Sequence, residues 1–239
     1  MKKVVYYLLL IVFLGVFAFS AYKIGSYLWD KRESDQVTEK AAQHVQVEEE
    51  DDEPIMIEVD FEALQEINDD IIAWIYCPDT QINYPVVQGS DNDYYLKHLL
   101  DGTWNENGTI FMDYQGAADF SDTNNILFGH HMKSGAMFAN LMKYKDQSFY
   151  DAHPVMYLFT PEQNYRLDLF AGVVVDANDG IYTYDVSAEQ LLDDYAARST
   201  FTANVSVSGE HPIVTLSTCS YEFDNARYIV LAELIPITE

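Results

Sequence analysis

The chain has 239 residues, 39 acidic against 13 basic, for a net charge of −26. That balance excludes a nucleic-acid-binding surface, which needs basic patches to neutralise phosphate, and argues against a folded face lying on an anionic membrane. The length suits one good-sized domain with extensions, and a 14% aromatic content, with 18 Tyr and 13 Phe, fits a β-rich core.

Residues 1–3 are Met-Lys-Lys, and 4–22 form an uncharged apolar run about long enough to cross a bilayer. A cleaved signal peptide would show the same charged start, and Ala18 and Ser20 offer small residues for cleavage. The run is longer than the usual apolar part of a signal peptide, which favours an uncleaved transmembrane anchor at 4–22 with 1–3 on the cytoplasmic side. Either reading sends the remainder out of the cytoplasm. Residues 23–54 turn polar and end in six consecutive carboxylates, 48–53; like charges repel and cannot be buried, so this stretch reads as an extended acidic spacer. The folded domain is then 55–239.

Within it, Asp60 can cap a short helix with Leu64, Ile67 and Ile71 on one face. Residues 71–76 and 84–87 read as strands around a Pro78-Asp79-Thr80 turn, and 90–100 as a capped short helix. Apolar runs at 108–112 and 125–128 predict buried strands. Runs at 155–160 and 165–175, split by 161–164, predict a hairpin. Ser187 opens a capping box and a helix to about Arg198. Two last strands cover 212–219 and 228–232. Short strands at regular spacing, with helices inserted, predict a closed β-barrel rather than a parallel sheet.

Only two cysteines are present, Cys77 and Cys219. Neither has a second cysteine at metal-ligand spacing and there is no His-Glu-x-x-His, so no metal and no other cofactor is expected. Cys77 reads as a buried residue at a strand end. Cys219 closes the run Thr215-Leu216-Ser217-Thr218-Cys219, and Arg227 opens the next strand. A thiolate is the nucleophilic form of cysteine, and a nearby cation both favours it and can hold an oxyanion. Free cysteine is also among the most buried residue types, so these residues alone leave a structural cysteine open. A third strand end, Phe128-Gly129-His130-His131, presents histidine where a general acid or base is needed.

Taken together, residues from about 74 to 234 resemble a class B sortase. The matching stretches are 82–89, 92–96, 108–113, the Gly129-His130-His131 run and 215–227, joined by the short helix ahead of the barrel and the helix at 187–198. The resemblance implies a sortase-type barrel and a membrane-anchored cysteine transpeptidase. Cys219 would attack the carbonyl after threonine in a C-terminal sorting motif of a secreted protein, and Arg227 would hold the oxyanion. His130 would serve as acid and base, and an amine of peptidoglycan or a pilin would accept the acyl group. Positions carried over to the sorting-signal groove are Asn92, Leu96, Ser217 and the pair Ile181 and Tyr182, whose aliphatic and aromatic side chains stand in swapped order. One departure is Ser220 where an acidic residue would follow the cysteine, which leaves open what orients His130. The alternatives are a pilin-polymerising class B sortase, a cysteine hydrolase releasing product to water, and a tethered β-barrel binding module with an inert Cys219.

Overall fold

The computed structural model describes residues 2–48, 56–184 and 186–237. Eight strands close into a barrel in the order β10-β8-β7-β3-β4-β5-β6-β9, with β9 and β10 completing the ring. In chain order these are β3 (Ile71–Tyr76), β4 (Asn83–Val87), β5 (Ile110–Met112), β6 (Asn124–Phe128), β7 (Val155–Phe159), β8 (Asn164–Asp176), β9 (Ile213–Cys219) and β10 (Ala226–Pro236). Neighbours are antiparallel except β4 with β5 and β6 with β9, which run parallel.

Alternation builds the core. On β10, Tyr228, Val230 and Ala232 point into the barrel, while Ile229 and Leu231 pack outward against a layer that includes Leu191 of α4 (Ala188–Ala196). Ser187 caps α4 by accepting from the Gln190 N–H at 3.1 Å. A third cluster joins Leu64 of α2 (Phe61–Ile67) to Trp74, Val87 and Phe111 on the outside of β3 to β5. Trp74 is fully buried and donates Nε1–H to Asn83 Oδ1 at 2.6 Å, so its ring is both packed and satisfied.

Three expectations change. First, 23–54 is not extended throughout: α1 (Lys2–Ala42) is one continuous helix, and β1 (Val45–Glu48) pairs antiparallel with β2 (Met56–Val59). Residues 29–42 contain no Gly or Pro, and Lys31 pairs with Asp35 one turn on, so a polar segment propagates the helix. Of the acidic run, only Glu48 lies within the described residues. Second, 90–100 forms only a 3-10 turn at Tyr94–Leu96, because Asp91 Oδ1 accepts from the N–H groups of Asp93 and Tyr94, an Asx turn that competes with helix. Third, of the face predicted for α2, Leu64 is buried but Ile67 is exposed, and Ile71 already belongs to β3. Besides the β1–β2 pair, two further elements were not anticipated: a 3-10 segment at Phe138–Lys145 and α3 (Gln147–Ala152).

Candidate active site

Three strand ends meet at one rim of the barrel. β9 runs between β6 and β10, and the register sets Cys219 opposite Arg227 and Ser217 opposite Phe128. Val214 and Leu216 point into the barrel, so Ser217 and Cys219 fall on the outer face of β9. The same alternation, with Tyr228 and Val230 inward, puts Arg227 on the outer face of β10 beside the cysteine. Cys219 is a free, half-buried thiol. The Arg227 guanidinium is steadied by Nη1, which donates to the carbonyls of Ala226 at 3.0 Å and Asn225 at 3.3 Å.

The turn after β6 is bound to the cysteine strand on both sides. Gly129 N–H donates to the Ser217 carbonyl at 3.1 Å, and Thr218 Oγ1 donates to the Gly129 carbonyl at 2.8 Å. A Cβ at Gly129 would stand 2.6 Å from the ring of Phe138, which is fully buried, so only glycine brings the chain this close. The next two residues are held in different ways. His130 donates Nε2–H to the Leu96 carbonyl at 2.7 Å, and His131 donates Nδ1–H to the Cys219 carbonyl at 3.1 Å. The group that bonds to His130 is thus a backbone carbonyl. Ser220, which stands where a carboxylate was absent, instead donates to Glu222, and Glu222 pairs with Lys145; that ion pair holds the Glu222 carboxyl below the ordinary glutamate value.

A pocket of about 360 Å³ opens over these groups, lined by Cys219, His130, Arg227, Asn92, Leu96, Tyr182 and Ser217. Ile181 is the predicted site residue that does not line it. Its side chain is fully buried in the layer under α4, and its carbonyl accepts from Asn124 Nδ2 at 2.7 Å; the loop turns so that the neighbouring tyrosine, not the isoleucine, enters the pocket. Tyr182 shares a 2.8 Å hydrogen bond with Ser217 Oγ and stacks on Phe128 with centroids 6.0 Å apart. Burial pushes the Tyr182 phenol up, against the opposing pull of Ser217 and the Arg227 charge. The sequence reading missed Phe111, Asp113, Phe128, Ala177 and Thr218 as lining residues. All five lie at or near the ends of strands already predicted, which was the available signal. Among the described residues, no group of three or more His, Cys, Asp or Glu side chains gathers to hold a metal.

A barrel that ends one strand in a half-exposed thiol and faces it with a guanidinium has the equipment of a cysteine acyl-transfer enzyme. The comparisons with known proteins say which one. The Sortase domain model matches residues 75–235. The chain is 35% identical to sortase B of Listeria monocytogenes over 237 residues, 95% of each chain. Sortase B of Bacillus anthracis superposes with a TM-score of 0.75 at 33% identity, covering 88% of this chain and 100% of that one. Sortase B of Staphylococcus aureus, solved with a substrate, gives a TM-score of 0.70 at 33% identity over 74% of this chain and 85% of that one. The chain belongs to the sortase family, class B, whose members are cysteine transpeptidases.

Proposed function

We propose that Cys219, His130 and Arg227 catalyse the transfer of a secreted protein from a C-terminal sorting signal to an amine. The observation that carries this reading is the register pairing of Cys219 with Arg227 at a pocket that also holds His130. The Cys219 thiolate attacks the carbonyl carbon of the threonine in the sorting motif, and Arg227 stabilises the tetrahedral oxyanion, an effect worth about 3 kcal/mol per donor. With Nε2–H engaged by Leu96, the Nδ1 face of His130 remains to take the proton that Cys219 gives up and to pass it to the leaving amine. The C–N bond breaks and a thioester forms on Cys219. An incoming amine then attacks the thioester, His130 takes its proton, and a new amide forms as the C–S bond breaks and the Cys219 thiolate leaves.

The substrate complex of S. aureus sortase B, and a sortase B complex with triglycine, support a peptide donor and an amine acceptor of this kind. In this reading the signal lies across Asn92, Leu96, Tyr182 and Ser217, and the acceptor is a peptidoglycan amine. The apolar part of α1, which holds a window of mean hydropathy 2.5 with no buried residue, supports membrane anchoring with the barrel outside the cell.

The test is transfer of quenched peptides with Asn-Pro-x-Thr-Asn, Ser-Pro-x-Thr-Gly and Leu-Pro-x-Thr-Gly cores, with and without an amine, beside Cys219→Ala. Cleavage after threonine with an amine-joined product, lost in the variant, is the expected result. Cleavage indifferent to the amine would replace the transpeptidase by a hydrolase. No cleavage, with an unreactive Cys219, would leave the barrel without this activity.

A further inference from the structure

The bond that orients His130 comes from a segment that the N-terminal helix grips. Asn105 and Asn107, both buried, reach out of the 94–109 loop to α1. Asn105 Nδ2 donates to the Asp30 carbonyl at 2.9 Å and to Glu33 Oε2 at 3.0 Å, and Asn107 Nδ2 donates to the same Asp30 carbonyl at 3.2 Å. Below them Ser34 is buried and Val37 and Ala41 pack into the cluster that contains Tyr95 and Leu96.

The loop transmits this grip over a few bonds. Its returning arm takes the carbonyls on either side of Leu96: Thr109 N–H donates to Tyr95 at 3.0 Å, Asn105 N–H to Lys97 at 2.8 Å, and Thr109 Oγ1 to His98 at 3.0 Å. The Leu96 carbonyl between them is the one His130 uses. Gly108, at φ +60, lies so close that a Cβ there would stand 2.8 Å from the Leu96 oxygen. Shifting the 105–109 arm therefore shifts the carbonyl that fixes the imidazole.

We propose that Asn105 and Asn107 are positioning residues, which couple docking of α1 on the barrel to the orientation of His130. The segment that leads to the apolar run is then a support of the catalytic site as well as a tether. This rests on the acid–base role of His130 given above.

The test uses the full chain in detergent micelles with a sorting peptide and an amine acceptor. Ser34→Arg wedges the helix away, and Asn107→Ala removes only the side-chain bond to Asp30. The hydrogen-bonded imidazole N–H of His130 is followed by proton NMR, assigned by its disappearance in His130→Ala. We expect kcat to fall about tenfold in Ser34→Arg and a few-fold in Asn107→Ala, with the resonance broadened or lost in the first and weakened in the second. The melting temperature of Asn107→Ala checks that the barrel is intact. An unchanged resonance in both variants, beside an inactive His130→Ala, would overturn the coupling alone, whether or not kcat fell. Wild-type transfer by His130→Ala would overturn the role of His130 and the coupling with it.

Discussion

Gly129→Ala is the sharpest single probe of the rim. The added methyl would stand 2.6 Å from Phe138 Cδ2 and 2.7 Å from Cγ, whereas carbon atoms settle at about 3.5–4.0 Å, so roughly 1 Å of movement is required. Phe138 is fully buried in the barrel core and cannot swing aside into solvent. If the core absorbs the strain, overpacking costs about 1–3 kcal/mol. For a chain of this size, about 2 kcal/mol lowers the melting temperature by roughly 4–8 °C. If the backbone absorbs it, His130 moves with its neighbour and the Thr218 bond to the Gly129 carbonyl lengthens; a displacement near 1 Å in a catalytic group costs about 10²-fold in rate. Thermal unfolding by circular dichroism and kcat in the peptide transfer assay, run on one preparation, measure both routes. A variant that melts within about 1 °C of wild type and keeps kcat within about twofold would refute the close approach at the rim.

Further outcomes follow from other groups. In the folded protein, iodoacetamide should label Cys219 and spare Cys77, whose thiol is fully buried and pushed up by burial; mass spectrometry showing two adducts formed at equal rates would contradict this. Tyr182→Phe removes the phenol shared with Ser217 and should raise KM for the sorting peptide several-fold while changing kcat little; a fall in kcat alone would move Tyr182 from the groove to the chemistry. Glu233 is buried. Burial pushes its carboxyl up, but the Ser208 hydroxyl and the N–H groups of Ser208, Gly209 and His211 outweigh this and hold it below the ordinary value of 4.5. A lowered folded value contributes stability above the unfolded one, and that stability is lost as pH falls through the folded value. Glu233→Gln should therefore cost about 2 kcal/mol at neutral pH, with the gap to wild type closing as pH drops below 4.5. A gap that persists unchanged in acid, by denaturant melts, would assign the loss to shape instead of charge.

The strands were legible because each is a short β-branched or aromatic run bounded by turn residues, as in Ile71–Tyr76 and Ile213–Cys219. Helices were harder. A segment such as 29–42 is polar enough for a spacer and is also built from good helix formers, and only its packing through Ser34, Val37 and Ala41 decides between the two. The segment Phe138–Lys145 carried a readable signal: Phe138, Leu141 and Tyr144 are three apart and all buried, the period of a 3-10 helix. The two parallel pairings, β4 with β5 and β6 with β9, leave no local mark, since they depend on where long connections return.

At the site, side-chain chemistry was readable and backbone chemistry was not. Cysteine, histidine and arginine each announce a capacity for reaction, and three predicted strand ends gave them a common rim. Ile181 and Tyr182 show the limit: both are large enough to fill a core, and only the turn of the loop decides that one does so while the other meets Ser217. The carbonyl that holds His130 has no side-chain signature at all, since every residue type carries the same main-chain acceptor. What fixes it is the tightly bonded 94–109 loop, with a glycine at φ +60 pressed against it. In this structure the imidazole N–H of His130 meets a main-chain oxygen rather than a carboxylate after Cys219.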